Sequence, residues 1–198
     1  MPRISAATIG EHRAQTRDRI LAAVSRLTRS QGIDEISMTD VAAEAGITRT
    51  ALYNYFPDKA ALLLAFTERV TGYFIESYER ELPAGASPAE RLRAFVRLQL
   101  DGLLAHPHPG PADLSAALGP DAYQRLADHV APMQDILVGI IESGTASGHF
   151  RTGPARQTAR MILALIGAER LPLLSGEVTV EQAEETISGF VLRALATP

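Results

Sequence analysis

The sequence, 198 residues long, contains no cysteine. That excludes disulfide frameworks, thiolate metal sites, iron–sulfur clusters and a cysteine nucleophile. No apolar run approaches the ~18 residues needed to cross a bilayer. The longest, Ala60–Phe66 and Met161–Ala168, have the length of core-helix segments. The opening MPRISAATIGEHRAQTR lacks the apolar stretch of a secretory signal. These absences predict a cytoplasmic protein without membrane contact. Catalytic signatures are missing as well: there is no G-x-S-x-G, no phosphate-binding glycine loop and no H-E-x-x-H. His106 and His108 stand in a proline-rich loop with no third ligand nearby, which reads as solvent-facing rather than as a metal site. Neither an enzyme nor a cofactor is expected. Lysine is scarce too: of 19 basic residues, all but Lys59 are arginine.

What is present describes a folded protein. Apolar residues make up 46% and charged residues 21%, which rules out wholesale disorder. The length suffices to bury a core without cross-links. Net charge is −4, and it is unevenly spread. Residues 1–60 hold eight basic against seven acidic side chains, while 61–198 hold eleven against sixteen. The acidic excess therefore lies entirely in the later part.

Apolar spacing is helical throughout, and alternating strand patterns are essentially absent. Ile20, Val24 and Leu27 mark a helix over Thr16–Ser30, with Gly32 as a C-terminal stop. Two short helices follow, Thr39–Ala45 and Thr48–Tyr55, each opening on a threonine of N-cap type. Further helices are predicted over Lys59–Arg80, Ala89–Ala105, Ala112–Leu118, Asp121–Ser143 with a kink at Pro132, Pro154–Leu174 and Val180–Ala196. The fold class is all-α, with about nine helices.

The informative stretch is TDVAAEAGITRTALYNYFPDK, residues 39–59. Two short helices joined at Gly46 make a helix-turn-helix. Ala42 and Ala45 are small where the helices cross, Gly46 permits positive φ, and Ile47 plugs the crossing. At about 100° per residue, Ala51, Leu52 and Tyr55 fall within about 60° of Thr48 and share with it the inward side of the second helix. Arg49, Thr50, Tyr53 and Asn54 point outward. Arginine bridges guanine N7 and O6, asparagine pairs with adenine, and a threonine methyl touches thymine. Tyr53 and Lys59 suit phosphate contacts, which fix register rather than sequence. A generic helical hairpin with a solvated outer face would share the shorter A-x-x-A-G pattern.

The longer string V-A-x-x-A-G-I-T-x-x-x-L-Y-N-Y-F-x-x-K resembles the DNA-binding domain of the TetR family of bacterial transcriptional regulators. The motif resemblance covers residues 13–62, and the nine-helix architecture covers the whole chain. It implies a DNA-binding domain over 1–58, including an N-terminal arm, and a ligand-binding and dimerisation domain over 59–198. By position it implies DNA contacts from Arg17, Thr39, Thr48, Arg49, Thr50, Tyr53, Asn54, Tyr55 and Lys59, with Phe56 closing the small domain. Thr50 departs from the glycine that many family members carry there. It either meets a base itself or sets the helix back. Arg3 and Arg13 form either a minor-groove arm or a frayed tail.

The remaining residues exceed what DNA binding needs, so they dimerise, sense or both. Met161, Ile162, Leu163, Leu165 and Ile166 surround their helix, which predicts burial on both sides. Ala164, Gly167 and Ala168 permit close crossing, and Ile187, Val191 and Leu195 form a stripe on the last helix. Together they predict a homodimer interface. Placed polar groups on apolar stripes predict a small-molecule site lined by Phe66, Tyr73, Phe95, Gln99, His106, Tyr123, Met133 and Gln134. A filled core with satisfied polar groups is the alternative for each of these. The reading is a repressor that binds palindromic operator DNA as a homodimer and is released by a largely apolar effector. A helical ligand-binding dimer without DNA binding, or an enzyme, are the rivals.

Overall fold

The computed structural model describes residues 6–30, 33, 35–108, 114, 118 and 120–196. Side chains at 6–9, 30, 120, 122, 123, 126 and 129 lie outside that description. Gly32, Arg3 and most of the helix expected at Ala112–Leu118 therefore fall outside the described residues. The helices are α1 Ala6–Ser30, α2 Met38–Glu44, α3 Arg49–Tyr53, α4 Lys59–Glu81 and α5 Pro88–Ala105. They continue as α6 Pro120–Ala146, α7 Ala155–Ala168, α8 Arg170–Ser175 and α9 Val180–Leu195. No strand occurs among the described residues. None of their helices is long and apolar enough to cross a membrane.

The chain groups into two compact units: 1–69 with 107–126, and 70–106 with 127–198. In the first, Ile20, Leu21 and Val24 of α1 are buried with Val41, Ala42, Ala45, Leu52, Phe56, Leu62 and Leu63. Removing these side chains from water supplies the drive that a five-residue helix such as α3 cannot supply for itself.

In the second unit α5 packs along α9. Leu92, Phe95, Val96 and Leu100 are buried, as are Ile187, Val191 and Leu195. Arg93–Glu184 at 3.3 Å and Arg97–Glu181 at 2.8 Å bridge the two helices along their exposed margin. Such exposed pairs contribute little energy, on the order of 0–1 kcal/mol each, but they favour one register. Leu137, Ile140 and Ile141 of α6 and Ile162 and Ile166 of α7 are also buried.

Gly102 decides one feature of this core. A Cβ there would lie 2.2 Å from the Phe74 ring, well inside van der Waals contact. Phe74 can lie flat against α5 only because that side chain is missing. Gly102→Ala is expected to lower the Tm by several degrees despite alanine's higher helix propensity. A thermal melt showing a raised Tm would contradict this packing account.

Two sequence expectations need correction. Thr39 is not an N-cap: Ser37 caps α2, accepting from Asp40 N at 3.2 Å, while the Asp40 carboxylate accepts from Ser37 N at 2.9 Å. The Ser-x-x-Asp spacing was the signal for this reciprocal cap. Hydrogen bonds from the Ser37 hydroxyl and then its backbone hold the Asp40 carboxyl below its ordinary pKa. Second, the helix expected over Pro154–Leu174 divides at Glu169. Pro172 has no N–H, and its ring would strike the carbonyl of Ala168, the residue at which α7 ends. On α7, Ile162 and Ile166 are buried within the chain, whereas Met161 is 63% exposed and Leu165 37%, which leaves open the side that the sequence reading gave to a partner.

Candidate functional site

The helix-turn-helix is built by local bonds. After α2, Gly46 takes φ +67°, and Gly46 N and Ile47 N donate to Ala43 O and Ala42 O at 3.1 and 3.0 Å. A side chain at that φ would be strained, so glycine sets the turn. Ala42 and Ala45 are buried at the crossing and Ile47 is half-buried. Thr48 then caps α3, its Oγ1 accepting from Ala51 N at 3.1 Å. Here the threonine cap read from the sequence is where the structure has it.

The two faces of α3 separate as the angular reading requires, except at Thr48, which that reading placed inward. Leu52 is buried, with Ala51 and Tyr55 half-buried beside it. Arg49, Thr50, Tyr53 and Asn54 are exposed. Thr48 is exposed too, because as a cap it has extended backbone and lies outside the helical turn. Arg49 and Tyr53 are one turn apart and touch: the guanidinium carbon lies 5.6 Å from the ring centroid, and Nη2 lies 3.4 Å from the phenol oxygen. A guanidinium held over a ring has fewer rotamers to lose when it meets a base edge.

The remaining predicted DNA residues lie on α1, on α2 and at the start of α4. Thr39 is exposed in the first turn of α2. Arg17 lies with its guanidinium carbon 5.7 Å from the Phe56 ring, and Phe56 is buried as expected. Lys59 opens α4, and its ammonium donates to Ile33 O at 2.8 Å. That bond ties the start of α4 to the connection after α1. Arg13 belongs to α1 and not to an arm. Its Nη2 donates to Asn54 O at 3.2 Å, and its guanidinium carbon lies 5.1 Å from the Tyr55 ring. Arg26 pairs with Glu44 and also donates to Glu44 O at 3.2 Å, holding the end of α2. The sequence reading missed both arginine braces, because a contact 41 or 18 residues distant in the chain leaves no periodic trace.

The predicted effector residues divide. Phe66 is buried in the first unit, and the Tyr123 side chain is outside the described residues. Tyr73, Phe95, Gln99, His106, Met133 and Gln134 all belong to the second. There, Tyr78 and Phe95 stack with centroids 4.7 Å apart, and the Tyr73 and His106 rings are 3.9 Å apart. Gln99 is buried; its amide donates to the Tyr78 phenol oxygen and approaches Met133 Sδ at 3.1 Å. Burial pushes the Tyr78 phenol well above its ordinary pKa, with the Gln99 hydrogen bond opposing. Gln99 is thus a satisfied core residue. Gln134 is different: its Nε2 is buried and meets no acceptor. Buried donors are nearly always paired, so this one is a point of interest.

The predicted interface residues also divide. Ala164, Gly167 and Ala168 are exposed on α7. Ile187, Val191 and Leu195 are instead buried within their own subunit, which corrects the stripe assigned to an interface. The stripe faces inward because it completes the core with α5. Phe190, 57% exposed, takes its place on the outer side of α9. Met161, Leu165 and Phe190 line an open groove of about 320 Å³ that also includes Arg151 and Thr158.

A capped helical pair with a glycine turn, a sealed inner face and a polar outer face defines a helix-turn-helix protein, followed here by a larger helical unit. Comparison with known proteins agrees at both ends. Residues 20–66 match the model of bacterial regulatory proteins of the tetR family, and residues 88–191 match a tetracyclin repressor-like C-terminal domain. The chain belongs to the TetR family and is a transcriptional regulator. It is 25% identical over 199 residues to an HTH-type transcriptional regulator of Mycobacterium bovis, covering 96% of this chain and 93% of the relative. To the transcriptional repressor KstR of Mycobacterium tuberculosis it is 31% identical over 126 residues, covering 60% and 57%. Its fold is similar to that of the fatty acid degradation regulator FadR from Bacillus halodurans, with TM-score 0.75 and 16% identity over 90% of this chain and 98% of the other.

Proposed function

We propose that this regulator binds palindromic operator DNA as a homodimer, represses transcription there, and is released by a largely apolar small molecule. One observation carries the reading: Arg49, Thr50, Tyr53 and Asn54 are all exposed on a helix whose other face is sealed into the core. Arg49 is assigned to guanine, Asn54 to adenine and Thr50 to a thymine methyl. Arg17, Thr39, Thr48, Tyr53, Tyr55 and Lys59 are assigned to the backbone. The division of labour is 1–58 for DNA and 59–198 for dimerisation and sensing. Selection from a random duplex library tests it. The expected product is an inverted repeat whose half-sites are centred about 34 Å apart, one helical turn. Enrichment of nothing, or equal retention of all duplexes at low salt, would overturn the reading.

Met161, Leu165 and Phe190 support the dimer, since large apolar side chains exposed together mark an interaction surface. The unpaired Gln134 amide supports the effector reading. A mostly apolar molecule carrying one hydrogen-bond acceptor supplies the partner that Nε2 lacks. Decan-2-one is therefore expected to raise the Tm more than decane, and Gln134→Leu to erase that difference. Equal shifts from ketone and alkane in the unaltered protein would remove Gln134 from the site. Release from DNA requires only that the effector favour the DNA-incompetent state: about 1.4 kcal/mol of differential affinity gives a tenfold loss. Residues 59–81 form one helix with Lys59 in the first unit and Tyr73 in the second, a covalent route for such coupling.

A further inference from the structure

Three features of α3 raise the question of what holds it in place. It has only five residues, and isolated helices of that length do not persist in water. Its N-terminal end is fixed by the Thr48 cap. Its C-terminal end, Asn54, has no side-chain cap of its own; the Asn54 N–H bonds back to Ala51 O and Leu52 O. The Asn54 carbonyl accepts a hydrogen bond from Arg13, and the same guanidinium lies over the next ring, Tyr55. A cation at the carbonyl end of a helix is favourably placed with respect to the helix dipole. One planar side chain on α1 thus makes two different contacts with two consecutive residues at the end of the DNA-reading helix.

We propose that Arg13 is a positioning residue for DNA recognition: it clamps the C-terminal end of α3 so that Arg49, Thr50 and Asn54 present a fixed pattern to the base edges. It acts through Asn54 and Tyr55 and makes no DNA contact of its own. The two contacts are complementary in what they restrict. The hydrogen bond to Asn54 O fixes where the end of α3 lies relative to α1. The contact with the half-buried Tyr55 ring, two residues past the last turn of α3, resists rotation of α3 about its own axis, since a roll of the helix would carry that ring away from the guanidinium. Rotation is the motion that most degrades base readout, because 20° of roll moves a long side chain's tip by roughly 2 Å on a helix with an outer radius of about 5–6 Å. A bidentate hydrogen bond does not survive such a shift. Backbone contacts to phosphate, made by flexible side chains, tolerate it. A loosened α3 therefore loses specificity before it loses general affinity for DNA.

This inference rests on the DNA-binding reading above, and its experiment has one arm that does not. In the full-length protein without DNA, Arg13→Ala is expected to speed hydrogen exchange of the amides at 51–56 by about tenfold, leaving buried amides of α1 and α4 unchanged. A residue that only touches phosphate has no effect in that arm. With DNA, the affinity for the selected operator is expected to fall about tenfold while affinity for random duplex stays within twofold, and the salt dependence keeps its slope. Arg13→Lys retains a donor for Asn54 O but not the planar stack, and should fall between the two proteins in both arms. Because Arg13 is exposed, both variants are expected to melt within a few degrees of the original. Unchanged exchange overturns the proposal. So does a salt slope reduced by about one with equal loss on operator and random duplex, which would make Arg13 a phosphate ligand. Faster exchange in a protein that binds no duplex at all would sink the DNA reading while leaving the clamp in place.

Discussion

Replacing both Leu165 and Phe190 with glutamate is expected to yield a folded monomer whose operator affinity is lower by more than a hundredfold. The two side chains are 37% and 57% exposed, so the substitutions cost the core little and the Tm should fall by no more than a few degrees. Their replacements would place two carboxylates, four across a two-fold axis, into an apolar contact with Met161. Burying unpaired charge costs several kcal/mol per carboxylate, so four together exceed the ~8 kcal/mol that holds a micromolar dimer. The DNA consequence follows from valency. Joined half-site contacts act at an effective concentration in the millimolar range, and a monomer forfeits that gain entirely. Sedimentation equilibrium and an operator titration read the two effects separately. A persistent dimer with undiminished affinity would move the interface away from α7 and α9.

Arg49→Ala should cost about 1–3 kcal/mol per half-site contact, or roughly 5–150-fold, and relax the preference at one base pair in each half-site. The expectation depends on the outward set of α3 and on the Tyr53 ring beneath the guanidinium. Arg49→Lys should not rescue it, because an ammonium lacks the planar fork that bridges N7 and O6 of guanine. Lys59→Ala should behave differently, weakening all duplexes alike. One qualification comes from the structure itself: Lys59 also donates to Ile33 O, so part of its effect should appear as a lower Tm in the absence of DNA. If Arg49→Ala reduced binding to operator and random duplex equally, arginine would be a backbone ligand and another side chain would read the site.

Much of the helix-turn-helix was legible in the sequence. The periodicity of Ile20 and Val24, the small Ala42 and Ala45, and the turn at Gly46 are local signals, each with a local physical cause. The same holds for the two faces of α3, since a helix of known pitch assigns every side chain an azimuth. The Ser37 cap was equally local and was passed over for Thr39. The break at Glu169 was legible too, in Pro172, whose missing N–H forbids the continuous helix that apolar spacing suggested.

The sequence by itself determined an all-helical chain, the location of the helix-turn-helix and which side chains of α3 face outward. These follow from spacing, pitch and the chemistry of single side chains. Only the tertiary structure decided that Ile187, Val191 and Leu195 face α5 while Phe190 faces outward, that Gln99 is satisfied and Gln134 is not, and that Arg13 grips the end of α3. An apolar stripe tells that a face is covered but not by what. A hydrogen bond between residues far apart in the chain exists only once packing has brought its two ends together.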